Sequence, residues 1–425
     1  MTLANRLTRC PRPFDPDRGE DALLALPGLS APLAELIRGT GGCSPYLGGL
    51  IAKEAEWLRP ALDAPEAAFD TVLAGLHNVA PDELGSALRQ AKRRVALIIG
   101  LADLGGVWPL EEVTGRLTDF ADLASDVAMK AALAHEIRRG KLPGMSQDDV
   151  ATGAGMVAFA MGKMGAGELN YSSDIDLIVL FDETRFDPDM FLEARPAYIR
   201  ATRKFAAMLN DIGPEGYVFR TDLRLRPDPS VTPVCLGMEA AERYYESLGR
   251  TWERAAWIKA RACAGDIAAG ESFITGMRPF VWRRYLDFAA IQDAHDMRTK
   301  IRDHKGLHGG LTLEGHDMKQ GSGGIRAIEF FAQFHQILAG GRDPDLRLRG
   351  TVPALAALAQ KDWIPSELAD TLTSAYRLHR EVEHRVQMIN DAQTHALPNS
   401  DPGFERLAAL MDCDVADLRH DLRER

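Results

Sequence analysis

The amino-acid sequence predicts an α+β protein, mostly helical overall, in which one small mixed-sheet unit is flanked by helical regions on both sides. Three observations carry that prediction. Val157 to Asp182, VAFAMGKMGAGELNYSSDIDLIVLFD, reads as an apolar strand, a glycine-rich turn with one or two helical turns, and a second apolar strand opened by Asp174-Ile175-Asp176. Tyr217 to Pro227, YVFRTDLRLRP, alternates apolar and charged residues with the period of a strand. Before and after this unit, apolar residues recur at three-four spacing over stretches that suit helices.

Residues 1 to about 60 hold short helical stretches separated by Pro, Gly and Ser, with Trp57 among Leu- and Ala-rich pieces. From about 64 to 139 the helical pattern strengthens: Leu110, Val113, Leu117, Phe120, Ala124, Val127 and Ala131 form one seam. Pro109 with Glu111 and Glu112 opens that helix, and Arg138-Arg139-Gly140 closes it. These residues make up a helical region, 1–149.

The α/β unit follows over 150–268. After its second strand, Pro196 to Ile212 is expected to form a helix with Ile199, Thr202, Phe205, Ala206 and Leu209 inward, ended by Gly213-Pro214. The strand Tyr217–Pro227 then looks antiparallel to its predecessor. Residues 269–425 turn helical again and are expected to complete the active site. The glycine-rich His304–Gly324 leads into a helix opening at Ile325, and a helix from about Glu367 to Asn390 is capped by Pro365-Ser366. Its seam is Leu368, Leu372, Ala375, His379, Val382, Val386 and Ile389, with His379 a packed, hydrogen-bonded core residue. The chain stops in helix-like residues, which suggests truncation before a second unit.

A formal net charge of −11 argues against a nucleic-acid binder, which needs a concentrated basic surface. The five cysteines are scattered without a CxxC pair, as fits a reducing, cytoplasmic setting. No secretory signal is visible. The longest apolar run, Val95 to Ala102, falls well short of the roughly 20 residues that cross a membrane.

Strand side chains alternate, so Asp174 and Asp176 project together while Ile175, Leu177, Val179 and Phe181 fill the other face. Two carboxylates one pleat apart repel each other and invite a divalent cation, and an oxygen-only donor set suits Mg²⁺ or Mn²⁺ rather than zinc. Four other pairs, Asp15-Pro16-Asp17, Asp187-Pro188-Asp189, Asp343-Pro344-Asp345 and Asp412-Cys413-Asp414, lack a strand pattern and read as solvated loop carboxylates. Asp222 shares its strand face with Arg220, Arg224 and Arg226, which reads as a third metal carboxylate among guanidinium groups able to hold phosphate oxygens. A solvent-face ladder of salt bridges is the alternative. Lys319 and Arg326 flank the turn before the Ile325 helix, whose first amides suit an anion. His304 and His308 stand four apart but lack the surroundings of a metal site.

Assembled, these pieces resemble the nucleotidyltransferase fold related to the DNA polymerase beta family, where three carboxylates hold two divalent ions for phosphoryl transfer. Four motifs narrow the resemblance. GKMGAGELNYSSDIDLIVLFD, TDLRLRP, WERAAWIKAR at Trp252–Arg261 and GSGGIRAIEFF, in that order, resemble the bifunctional glutamine synthetase adenylyltransferase/adenylyl-removing enzymes, from about Gly42 to the C-terminus. The resemblance implies two nucleotidyltransferase units joined by helical domains: one attaches AMP to a tyrosine of glutamine synthetase, the other removes it by phosphorolysis and releases ADP. Met1, the helical prelude, Arg326 in GGIRAIEF and the INDAQTHALP that ends at Pro398 look like the N-terminal, adenylyl-removing half.

Carried over by position, the resemblance makes Asp174, Asp176 and Asp222 the catalytic, metal-holding carboxylates. Gly162, Lys163, Gly165 and Ser173 would line a nucleotide-phosphate turn. Arg224, Arg226, Lys319, Arg326 and Glu329 would complete the pocket, with Ala327 where the family pattern has an acidic residue. The implied cofactor is Mg²⁺, or Mn²⁺, with phosphate and ADP or ATP as substrate or product. The implied partners are adenylylated glutamine synthetase and the PII signal protein, whose uridylylated form favours removal, with glutamine as effector and neither nucleic acid nor membrane. The same carboxylates would serve ATP-dependent adenylylation of glutamine synthetase, and a non-catalytic nucleotide-sensing adaptor is a reading of a different class.

Overall fold

In the computed structural model, which describes residues 2–284 and 312–425, helices surround a five-stranded sheet. His304 and His308 lie outside the described residues, as does the first part of the glycine-rich segment. Seven α-helices precede the sheet, the last two being Leu84–Leu104 and Leu110–Arg138. The apolar run noted above is the inner end of the first of these, buried continuously from Val95 to Leu104. Leu110–Arg138 begins at its expected point, with Pro109 at the N-cap and Glu111 and Glu112 in the first turn. Its seam drifts: Val127 and Ala131 are half-buried while Ala128, Met129 and Ala132 take the core positions. A straight helix rotates by ~20° per heptad against strict three-four spacing. Among the described residues no helix is long and apolar enough to cross a membrane.

The strands are β1 (Met156–Ala160), β2 (Asp174–Phe181), β3 (Arg220–Asp222), β4 (Leu236–Gly237) and β5 (Arg261–Gly265). Their order is β3-β2-β1-β5, with β4 also on β2. β1 runs antiparallel to β2 and β5, whereas β3 and β4 run parallel to β2, so the sheet is mixed. Period-two alternation gives β1 and β2 two buried faces. Ala158, Ile175, Leu177, Val179 and Phe181 join the core of the N-terminal helices. Val157, Phe159, Ile178 and Leu180 pack with Tyr245, Trp257 and Phe273 on the other side.

Two expectations about the third strand are corrected. It is parallel to β2, and it covers three residues rather than the whole of Tyr217–Pro227. The amides of Val218 and Phe219 both bond the carbonyl of Leu209, at 2.9 and 3.0 Å, so this stretch is tied to a helix end and both side chains are buried. Beyond the strand, the Arg224 amide bonds the Asp222 side chain at 2.8 Å, a turn that ends the pairing.

The helix expected from Pro196 instead spans Pro188–Asn210. Pro196 lies inside it, and its missing N–H costs little because the carbonyl it leaves free belongs to Leu192, a residue 70% exposed. The start also corrects the reading of the Asp-Pro-Asp stretches as loop carboxylates. Asp15, Asp187 and Asp343 each occupy a helix N-cap, with Asp17, Asp189 and Asp345 in the first turn, where carboxylates complement exposed amides and the helix dipole. Asp412 and Asp414 likewise stand at the end of one helix and the start of the next.

In the C-terminal part, helices Ile325–Ala339 and Ser366–Asn390 flank the sheet unit. The longer one begins at Ser366 with Pro365 as an N-cap that makes no side-chain bond. Leu368 is 37% exposed, and the inner stripe carries Arg380, Glu383 and Arg385 besides Ala375, Val382 and Met388. His379 is packed as expected, but its Nδ1 has no hydrogen-bond partner among the described residues. Met388 joins the N-terminal core, and its carbonyl accepts from the Ser44 hydroxyl at 2.6 Å. That contact ties the helix to the start of the N-terminal helix Pro45–Lys53.

Candidate active site

Strand pairing assembles the acidic centre. The parallel register sets Asp222 opposite Asp176 and Arg220 opposite Asp174, so the third carboxylate arrives beside the first two. Carboxylate oxygens of Asp174, Asp176 and Asp222 all lie within 4.8 Å of one another. Burial, and then the charges of Asp174 and Asp222, push the Asp176 carboxyl up to about 6. Three converging carboxylates, one of them disfavoured as an anion by its neighbours, fit a hard divalent cation as an all-oxygen donor set.

These residues line a cleft of about 700 Å³. Gly162, Lys163, Ser173, Arg224, Lys319, Arg326 and Glu329, all expected at the site, line it too. Gly162 has a left-handed backbone (φ +54°), and a Cβ there would stand 3.3 Å from Asp176 Oδ2. Glycine therefore lets the turn run close to the acidic centre. Arg224 grips Asp222 through Nε, 3.0 and 2.8 Å from the two carboxylate oxygens, and holds its carboxyl below the usual range. With 83% of its side chain exposed, Arg224 is free to turn to another anion.

Two expected residues fall outside the cleft lining. Gly165 serves packing: a Cβ would lie 2.1 Å from the Lys259 carbonyl and 2.4 Å from that of Ala160. Arg226 clamps its own loop, bonding the carbonyls of Leu223, Pro229 and Thr232 at 2.8, 2.9 and 3.0 Å. Arg220 is likewise committed, to the Tyr217 hydroxyl at 2.6 Å and to Ser172 at 2.9 Å.

Sequence reasoning missed the ionic layer beneath the cleft. Lys259 binds Glu329 at 2.7 Å and approaches Glu168 at 3.7 Å. Burial alone would raise the Glu329 carboxyl, but Lys259 and Lys163 outweigh it and hold the group down to about 2. Arg380 reaches the Tyr376 hydroxyl and the Glu168 carbonyl, each at 2.6 Å, and Asn170 at 3.0 Å. Glu383 takes the Lys163 ammonium at 2.9 Å. The one signal for Lys259 is a lysine set among apolar residues in WERAAWIKAR. Arg380 and Glu383 lie off the apolar seam, in the charged run His379-Arg380-Glu381-Val382-Glu383-His384-Arg385, where no sequence signal marks them as buried.

Two family models match the chain. One described as glutamate-ammonia ligase adenylyltransferase covers residues 34–275, and one described as GlnD PII-uridylyltransferase covers residues 295–424. Curated relatives named bifunctional glutamine synthetase adenylyltransferase/adenylyl-removing enzyme are similar over nearly the whole chain. The one from Bradyrhizobium sp. strain BTAi1 is 46% identical over 96% of this chain and 43% of its own length. That from Rhodopseudomonas palustris strain TIE-1 is 46% identical over 93% and 41%, and that from Agrobacterium fabrum strain C58 is 42% identical over 93% and 41%. The chain thus spans less than half the length of these relatives.

Proposed function

The chain belongs to the glutamate-ammonia ligase adenylyltransferase family, and from that premise we propose that it removes AMP from an adenylylated tyrosine of glutamine synthetase by phosphorolysis. The products are ADP and the restored tyrosine, which reactivates the synthetase in nitrogen regulation. The observation that carries this reading is the meeting, in one cleft, of the Asp174, Asp176 and Asp222 carboxylates with Lys319 and Arg326, which form no ion pair among the described residues. Phosphorolysis must hold two anions at once, the phosphodiester of the AMP-tyrosine and the incoming phosphate. Cations not already neutralised by a neighbour are what the second anion requires.

Asp174, Asp176 and Asp222 would hold Mg²⁺ or Mn²⁺. Bound there, such a cation would supply neutralisation of the phosphoryl charge. Lys319 and Arg326 hold the attacking phosphate, and Arg224 turns from Asp222 to a phosphoryl oxygen. A phosphate oxygen forms a bond to the AMP phosphorus while the bond to the tyrosine oxygen breaks. The tyrosine leaves as a phenolate, with a pKa of about 10, and takes its proton from water, so no dedicated general acid is needed.

The match of residues 295–424 to a PII-uridylyltransferase model supports extending the reading to control by the PII signal protein, and glutamine is proposed as effector with it. The test is incubation with adenylylated glutamine synthetase and Mg²⁺, with and without phosphate, following nucleotides by chromatography. Phosphate-dependent ADP supports the reading. No release, paired with ATP-dependent labelling of unmodified synthetase, reverses its direction.

A further inference from the structure

Lys163 enters the cleft from the glycine turn, with only 10% of its side chain exposed, and its ammonium donates to Glu383 Oε2 at 2.9 Å. The other carboxylate oxygen of Glu383 lies 2.5 Å from Nδ1 of His395. Arg380, on the same helix, approaches Oε2 at 3.6 Å. His395 is not an isolated neighbour: its carbonyl accepts from the Met318 amide at 2.8 Å, one residue before Lys319. One buried carboxylate therefore links the cleft lysine to the segment that delivers a second cleft lysine.

The groups facing Lys163 come from three places. Glu383 and Arg380 face it from helix Ser366–Asn390, Lys319 from the loop before helix Ile325–Ala339, and Glu329 from that helix. Glu329 is already engaged by Lys259 at 2.7 Å. Glu383 is thus the one carboxylate in direct contact with Lys163 among the described residues, set against two nearby cations. We propose that Glu383, oriented by His395, is a positioning residue that keeps Lys163 charged and directed at a phosphate group in the cleft. This rests on the reading that the cleft takes a nucleotide, and goes beyond it, since neither Glu383 nor His395 belongs to the carboxylate triad.

Burial disfavours the ammonium and brings Lys163 down to about 8, with Glu383 the largest opposing influence. Without Glu383, Arg380 and Lys319 would weigh on Lys163 with only Glu329 against them. Its proton would then be lost at lower pH. A purely structural role for Glu383 would lower thermal stability without moving that titration.

The experiment is calorimetric binding of ADP, at constant Mg²⁺, from pH 7 to 9.5, on this chain and three variants checked for folding by circular dichroism. The unmodified chain loses affinity as pH rises through about 8. Glu383→Gln shifts the decline at least one pH unit lower and weakens binding at pH 7.5 roughly tenfold, as loss of a charge-assisted contact does. Lys163→Arg shows no decline, because a guanidinium keeps its proton. His395→Gln, at a partly exposed position, weakens binding several-fold and keeps the fold. A folded Glu383→Gln with an unshifted decline overturns the proposal. Should that variant not fold, His395→Gln with unchanged affinity overturns it. ADP binding with the expected pH behaviour but without phosphorolysis supports this proposal and refutes only the assigned reaction.

Discussion

Asp222 stands opposite Asp176 in the parallel pairing of β3 with β2. A carboxylate that follows the whole helix Pro188–Asn210 in sequence thereby completes the acidic centre opened by Asp174. Charge is concentrated there at the expense of stability, since burial and two like-charged neighbours disfavour the Asp176 anion.

The parent is expected to gain Tm on addition of Mg²⁺, whereas Asp176→Asn is expected to fold at least as stably as the parent without divalent ions and to show no such gain. Turnover falls by roughly a hundredfold or more, on the scale of losing one transition-state electrostatic contact. A thermal melt with and without Mg²⁺ and a rate assay check both halves.

Cation affinity is expected to depend on pH with a defined sign. The Asp176 carboxyl is pushed up to about 6, so protons compete with the ion below that pH and binding strengthens as pH rises through it. Calorimetry at pH 5.5 and 7.5 tests this. Proton release measured in two buffers should appear at the lower pH and vanish at the higher.

Lys259→Met strands the buried Glu329 carboxylate and loosens Glu168, and is expected to cost about 3–5 kcal/mol in urea unfolding. Glu329 is held down to about 2, below its unfolded value, so the pair's contribution is fully present above the unfolded value. It is lost as pH falls through the folded one. The gap between parent and variant should narrow from pH 5 toward pH 3.

Gly165→Ala and Gly162→Ala are expected to fail differently. At Gly165 the new methyl meets two carbonyls at 2.1 and 2.4 Å, and unfolding free energy should drop by about 1–3 kcal/mol or more. At Gly162 the nearest atom is Asp176 Oδ2 at 3.3 Å and φ is +54°. Weaker cation binding should therefore accompany a smaller stability loss there. Paired unfolding curves and Mg²⁺ titrations distinguish the two.

The β1-turn-β2 unit was legible because two local signals agree: continuous apolar runs for strands buried on both faces, and glycines where the turn needs them. Asp174 and Asp176 stood apart from the four other Asp-x-Asp pairs through their strand pattern, the absence of proline and the glycine turn just upstream, not through spacing. The direction and extent of β3 were not legible, because parallel pairing depends on how helix Pro188–Asn210 crosses the sheet and on the Leu209 carbonyl that captures Val218 and Phe219. Arg224 and Arg226 look alike in TDLRLRP, yet one lines the cleft and the other closes a loop. The buried ionic layer was hidden most completely. Arg380 and Glu383 are the residues a solvated helix face would carry, and only contacts from Glu168, Asn170, Lys163 and His395 turn them into an interior network.

The most direct test of the assigned reaction is isotope tracing. Adenylylated glutamine synthetase is incubated with this chain, Mg²⁺ and ³²P-labelled inorganic phosphate, and the nucleotide product is degraded to locate the label. Phosphorolysis predicts ADP labelled only in its β-phosphate, formed roughly a hundredfold or more slowly by Asp176→Asn. Unlabelled AMP would show that water rather than phosphate attacks, and would contradict the account.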